Sequence, residues 1–308
     1  MKEYLVGYTG FVGSNLREQH RFDGLFNSKN ITDAFGGKPD MLVYSGVKAE
    51  MFLANKDPEA DYAQIEQAIS NIQKIEPKQI VLISTVAVYP DIQDVDEDFE
   101  IDEKQLTAYG RNRLALERWV EKNCTNHLIV RLPAIFGNGL KKNFIYDYIH
   151  LIPTMLTESK YKELSEKAIE LSSFYERHDN GFFKVRSIDQ NETEQLKDLF
   201  RTLGFSALNF TDSRSIYQFY PLSRLWSDIE TIQNNKLAKI NLVTPPIMIS
   251  DLFRELTNEE FVNELNRPPY NYDLRTKYGR LWKKNDGYIM GRDEEISVIK
   301  KFIERENI

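Results

Sequence analysis

A single cysteine, Cys124, is all the thiol chemistry in this sequence, which excludes an internal disulfide and any metal site built from several cysteines. An excess of basic residues is also missing. Forty Lys and Arg against 47 Asp and Glu leave a net charge of −7, which argues against a general nucleic-acid binder. No apolar run approaches the ~20 residues of a membrane span, and no signal-peptide pattern precedes the first strand pattern. The expectation is a cytoplasmic protein. Histidine is scarce, and His20, His127, His150 and His178 fall at no metal-binding spacing. Repeats and low-complexity tracts are absent. What remains, 41% hydrophobic and 28% charged over 308 residues, is the composition of a soluble globular protein with room for one large domain or two.

The first sixteen residues, MKEYLVGYTGFVGSNL, organise the rest. Glu3 to Val6 reads as a short buried strand, and Gly7, Gly10 and Gly13 then open a helix. Such a strand–glycine turn–helix lets backbone N–H groups approach a ligand closely, and the helix N-terminus favours a pyrophosphate. The plainer reading is a glycine-rich turn without a ligand. Downstream, Phe22 to Phe26, Met41 to Ser45, Gln79 to Thr85 and Leu128 to Leu132 read as strands. Helical spacing places Tyr62, Ile65, Ile69 and Ile72 on one face of 61–75, and 107–121 reads as another helix. Strands separated by helices imply βαβ crossovers and a parallel sheet covered on both faces.

Four segments in consistent order resemble the extended short-chain dehydrogenase/reductase superfamily, specifically its NAD-dependent epimerase/dehydratase family. They are GYTGFVGSNL (7–16), STVAVYP (84–90), Tyr109-Gly110 opening a helix, and RLPAIFGNG (131–139). The match covers residues 1 to about 145 and resumes near 215–230. It implies an α/β fold: a Rossmann-type doubly wound parallel sheet with a smaller α/β substrate-binding part. The expected division is 1–140 plus 213–245 for the dinucleotide-binding domain, and 141–212 plus 246–308 for the substrate-binding part.

The resemblance also implies site residues. Tyr109 matches the family's acid/base tyrosine, and Thr85, with its neighbour Ser84, matches the hydroxyl partner. A free phenol titrates near 10, so such a tyrosine needs a nearby cation to act as a base at neutral pH. Here the sequence departs from the family. Where Tyr-x-x-x-Lys is the pattern, this chain has Arg113, on the same helix face as Tyr109. Arginine supplies a permanent charge but does not relay a proton. Arg111 falls on the other side of the helix. The plainer reading makes Ser84 and Thr85 strand-end hydroxyls and Tyr109 an ordinary helix tyrosine.

Cofactor contacts are expected from Gly7, Thr9, Gly10, Phe11, Val12 and Gly13, and from Ser45, Gly46 and Val47 beyond the next strand. Pro133, Tyr109 and Arg113 join them by family position. The cofactor is NAD(P). Asn27, Ser28, Lys29 and Asn30 follow the second strand without a carboxylate for a ribose 2′-hydroxyl, which favours NADP slightly. Asn30 matches a residue at the adenine edge.

Beyond residue 140, Asn143 matches a substrate-contacting asparagine, and Lys141 and Lys142 suit a phosphate-bearing ligand. Residues 154–212 form an insertion with helices over 161–175 and 192–202, a strand over 182–188 and strand-like 207–210. The acidic run Asp91 to Glu103 reads as a solvated loop, not a metal site. Near the C-terminus, Pro221 to Ile232 reads as a helix, Ser250 as the cap of another, and 293–304 as the last. Arg275 and Lys277 are candidates for a phosphate or an acidic partner. Two functions fit: an NAD(P)-dependent epimerase, dehydratase or reductase acting on a sugar or nucleotide-sugar, or a non-catalytic dinucleotide-binding redox sensor or regulator. The resemblance leaves open a homodimer paired through the helices at 61–75 and 107–121.

Overall fold

The computed structural model describes residues 1–90, 92–178 and 181–306. In chain order these form β1 (Glu3–Val6), α1 (Phe11–Gln19), β2 (Gly24–Phe26), β3 (Met41–Tyr44), α2 (Met51–Lys56), α3 (Pro58–Ile75) and β4 (Ile80–Thr85). Next come β5 (Gln93–Val95), α4 (Ala108–Asn123), β6 (His127–Leu132), β7 (Ala134–Phe136), α5 (Phe144–His150), β8 (Met155–Thr157) and α6 (Glu158–Ser165). They are followed by β9 (Tyr175–Arg177), β10 (Phe182–Val185), α7 (Gln190–Leu203), β11 (Ile216–Tyr217), β12 (Phe219–Pro221) and α8 (Leu225–Asn234). The last are β13 (Lys239–Asn241), β14 (Ile247–Met248), α9 (Ile249–Thr257), β15 (Asp273–Leu274) and α10 (Arg292–Glu306). Two compact units result, Met1–Leu140 with Ile216–Ile247 and Asn271–Ile299, and Lys141–Ser215 with Met248–Tyr270 and Lys300–Ile308. Residues 271–299, expected with the smaller part, belong to the larger unit.

The larger unit is built on a six-stranded sheet in the order β13-β6-β4-β3-β1-β2, every pair parallel. Its strands are apolar on both faces because both faces are covered. Strand alternation divides them: Leu5, Val43 and Val81 pack with Leu16, Leu225, Trp226 and Ile229, whereas Tyr4, Leu42 and Leu82 pack with Ile65, Ile72, Leu116 and Val120. Each fully buried side chain of this kind contributes about 1.5–3 kcal/mol. The chain leaves β1 to one side for β2 and to the other for β3. The carboxyl ends of β1, β3 and β4 therefore lie side by side at a switch point, where α/β sheets bind ligands.

Several local details differ from the sequence reading. α3 starts at Pro58, a residue suited to the first helical turn, with the Asp57 side chain accepting from the Ala60 N–H at 3.1 Å. Tyr62 stays 42% exposed, off the buried stripe. β2 begins at Gly24, and Pro221 ends a strand that pairs with β7, so α8 starts only at Leu225. α9 is capped at Met248, which leaves Ser250 inside the helix.

The acidic run is not simply solvated, although Asp91 lies outside the described residues. β5 pairs with β15, and half-buried Glu97 accepts hydrogen bonds from the Asn241 and Lys277 backbone N–H groups and the Thr276 hydroxyl. Arg275 pairs with Asp273 at 2.8 Å, and Lys277 pairs with Asp98. These two cations hold the protein's own acids, which corrects their reading as sites for an external anion.

In the smaller unit, β8, β10 and β9 form an antiparallel sheet over a core of Leu156, Leu164, Leu171, Tyr175, Leu196 and Phe200. The insertion is thus a folded α/β element. Its first helix is shorter than expected and is followed by a 3-10 turn at Ile169–Ser173, because strand β9 already claims Tyr175. Ala207–Phe210 is a 3-10 turn and not a strand.

α1 lies so close to the end of β1 that a Cβ on Gly13 would stand 2.2 Å from the Gly7 carbonyl oxygen. Gly13→Ala is expected to lower stability by about 1–3 kcal/mol, since backbone must shift to admit the methyl. An unchanged midpoint in urea unfolding would contradict that packing.

Candidate active site

The glycine turn has the geometry a dinucleotide needs. Gly7 sits at φ +92°, and a Cβ there would lie 2.6 Å from the Ser45 carbonyl carbon. Gly10 faces outward, with only the Gly7 oxygen 3.3 Å from a Cβ position. Thr9 and Gly10 are exposed, while Phe11 and Val12 pack their side chains onto the core. No side chain caps α1 at Gly10, so the first-turn N–H groups have room for a pyrophosphate above them. The residues present fit a dinucleotide.

Ser45 donates to the Val6 carbonyl from its N–H at 2.9 Å and its hydroxyl at 3.0 Å, which binds the end of β3 to the end of β1. A Cβ on Gly46 would lie 3.0 Å from Val6 Cγ1, and Val47 packs on the core. At the end of β2, Ser28 and Lys29 are exposed. The Asn30 side chain is taken up locally: it accepts from the Asn27 N–H at 2.8 Å and donates to the Leu25 carbonyl at 3.0 Å. Asn27 likewise accepts from the Lys29 N–H at 2.9 Å. Both asparagines shape the turn, and the adenine-edge contact expected of Asn30 would have to displace those bonds.

Thr85 and Tyr109 are brought together. The Arg113 guanidinium lies over the Tyr109 ring, and both it and the Thr85 hydroxyl pull the phenol's value down. Thr85 also accepts from the Ala87 N–H at 3.1 Å. α4 reaches this position because residue 110 is glycine: a Cβ there would lie 2.2 Å from the Ala87 carbonyl oxygen. Thr107 caps the helix at the Gly110 N–H, and the Asn55 side chain accepts from the Tyr109 N–H at 3.0 Å.

Ser84 is not part of this group. Strand alternation turns it to the other side, where its hydroxyl donates to Glu117 at 2.5 Å. Glu117 is held by Arg131 at 2.6 Å, and Arg131 donates to the Tyr89 hydroxyl at 2.6 Å. Burial pushes the Tyr89 phenol up to about 12. Pro133 is half-buried between β6 and β7. In the smaller unit, Asn143 has φ +105°, and its side-chain oxygen accepts from the Ile145 and Tyr146 N–H groups at 3.0 and 3.2 Å as the cap of α5.

Arg113 is 6% exposed and pairs bidentately with Asp61, Nη1 to Oδ2 at 2.7 Å and Nη2 to Oδ1 at 3.0 Å. Its Nη2 also donates to the Lys48 carbonyl at 2.5 Å, and Asn112 donates to Asp61 Oδ2 at 2.9 Å. Its guanidinium carbon lies 4.4 Å from the centre of the Tyr109 ring. Burial pushes the Tyr109 phenol above its ordinary value; Arg113 pulls it back, and Asp61 works against Arg113. Arg111 is exposed.

Asp61, Asn55 and Asn112 are the polar neighbours that sequence reasoning missed. A buried Arg113 demands a carboxylate. Nothing along the chain says which one, since Asp61 is fifty-two residues away.

Burial raises the Asp61 carboxyl, but the hydrogen bonds of Arg113 and Asn112 together with the arginine charge outweigh it, so the value ends below the ordinary 3.8. Its contribution to stability is therefore present above the unfolded value and lost as pH falls through the lowered folded value. Asp61→Asn, which strands a buried guanidinium, is expected to cost about 3–5 kcal/mol at neutral pH. Denaturant titrations should show the gap between parent and variant closing in acid.

A search of curated proteins finds no match to this sequence. Solved structures share its extended short-chain dehydrogenase/reductase-like fold at low identity. A dTDP-4-dehydrorhamnose reductase from Clostridium acetobutylicum is 14% identical over 100% of both chains, with a TM-score of 0.62. RMD from Pseudomonas aeruginosa, solved with NADPH, is 13% identical over 99% of this chain and 100% of its own, at 0.62. WbmG from Bordetella bronchiseptica, solved with NAD, is 14% identical over 100% and 95%, at 0.65. Residues 1–157, just over half of the chain, match the family described as RmlD substrate binding domain, and the protein belongs to that family.

Proposed function

We propose that this protein is an NADP-dependent reductase that acts on the keto group of a nucleotide-linked sugar. The observation that carries the reading is the placement of the Thr85 hydroxyl and the Tyr109 phenol at the carboxyl edge of the sheet, two strands from the glycine turn. The names of the Clostridium and Pseudomonas neighbours, a dTDP-4-dehydrorhamnose reductase and an NADPH complex, support the substrate class and the cofactor. Exposed Ser28 and Lys29, with no carboxylate from 27 to 30, suit a 2′-phosphate.

Bound NADPH would supply a hydride to the carbonyl carbon. Thr85 would hold the carbonyl oxygen by a hydrogen bond, and the Tyr109 O–H would break to give its proton to that oxygen. The resulting tyrosinate regains a proton from solvent.

The second reading, a non-catalytic dinucleotide sensor, draws on Arg113, which replaces the family's lysine and is engaged by Asp61. NADPH fluorescence and loss of NADPH absorbance with nucleotide-linked keto sugars separate the two. Tyr109→Phe is expected to bind NADPH like the parent and to lose about 10²–10⁴-fold in turnover. Binding without turnover in the parent would favour the sensor, and no binding would end both readings.

A further inference from the structure

We infer that Asp61 is a positioning residue for Tyr109: it holds Arg113 in a bidentate, net-neutral pair against the phenol ring, so that the guanidinium charge is not free to stabilise a tyrosinate. The inference rests on Tyr109 being the proton donor of the proposed reduction. A lone guanidinium 4.4 Å from the ring centre would stabilise a tyrosinate. This guanidinium is not alone. Both of its terminal nitrogens donate to Asp61, and a remaining hydrogen goes to the Lys48 carbonyl. Asp61 is in turn fixed by Asn112, whose amide also donates to the Pro58 carbonyl at 3.1 Å. Arg113 and Asp61 are each about 6% exposed, so water and salt screen the pair much less than they would at the surface.

The charged groups bearing on the Tyr109 hydroxyl are Arg113 from its own helix and Asp61 from α3. The end of β4 brings the uncharged Thr85 hydroxyl, and α2 brings the uncharged Asn55 amide to the Tyr109 N–H. Farther along α4, Glu117 is balanced by Arg131. Removing the Asp61 charge therefore leaves one uncompensated cation facing the phenol.

Tyrosine labelled with carbon-13 at Cζ reports the ionisation of each ring, and the resonance missing from Tyr109→Phe identifies Tyr109. In the unaltered protein Tyr109 is expected to remain a phenol to at least about pH 10, the ordinary tyrosine value. In Asp61→Asn its titration is expected to move down by about one unit or more. A Tyr109 step below about pH 10 in the unaltered protein, or one in Asp61→Asn that coincides with the parent's, overturns the inference. A merely structural Asp61 would shift the unfolding midpoint and leave the Tyr109 titration in place. Should Asp61→Asn not fold, the double variant Asp61→Leu with Arg113→Met removes both charges and is expected to keep the parent's titration; a downward step there also overturns the inference. NADPH fluorescence on the unaltered protein is the separate arm. No binding, with the Asp61→Asn shift present, would end the reductase reading and the proton-donor role with it, while the effect of Asp61 on the Tyr109 titration would stand.

Discussion

Backbone-on-backbone contact at the carboxyl edge of the sheet is the constraint on which the rest depends. α1 meets the end of β1 where a Cβ on Gly13 would be 2.2 Å from the Gly7 oxygen, and α4 meets the turn after β4 where a Cβ on Gly110 would be 2.2 Å from the Ala87 oxygen. Any side chain at either position would push a helix outward. The first contact leaves the uncapped N-terminus of α1 over an outward-facing Gly10, and the second delivers Tyr109 to Thr85. Both sites follow from missing Cβ atoms.

The same edge then has to manage charge out of water. Two buried arginines lie here, Arg113 on α4 and Arg131 on β6, and each meets one carboxylate: Arg113 with Asp61, Arg131 with Glu117. The period-two alternation of β4 distributes its terminal hydroxyls between them, Thr85 to the Tyr109–Arg113 side and Ser84 to Glu117. Desolvated charges of this kind do not stabilise a fold strongly compared with apolar packing, but breaking one partner away is costly, which makes the arrangement stiff.

Elsewhere the larger unit uses its acidic excess internally. Glu97 gathers three donors from 241, 276 and 277, while Asp98 and Asp273 hold Lys277 and Arg275. Part of a run that is strongly negative along the chain, Glu97 and Asp98, is in this way taken up by a segment nearly 180 residues later.

Local physics made much of this legible. Glycine spacing at 7, 10 and 13 marks a turn with positive φ and close approach, continuous β-branched runs such as 80–85 mark strands buried on both sides, and strand–helix alternation makes the sheet parallel. Tyr109, Thr85 and Arg113 could be picked out because strand ends and helix starts fix where short motifs fall. Contacts between distant segments were not legible. Asp61 on Arg113, Asn55 on the Tyr109 N–H, Ser84 on Glu117 and Glu97 on 241 are chosen by packing, and many carboxylates along the chain look alike until burial excludes water from one of them. The sequence by itself determined a glycine-turned parallel α/β sheet with a tyrosine and a threonine at its edge. Only the tertiary structure decided that the arginine beside that tyrosine is neutralised, because an ion pair is selected by three-dimensional proximity and desolvation, which linear spacing does not encode.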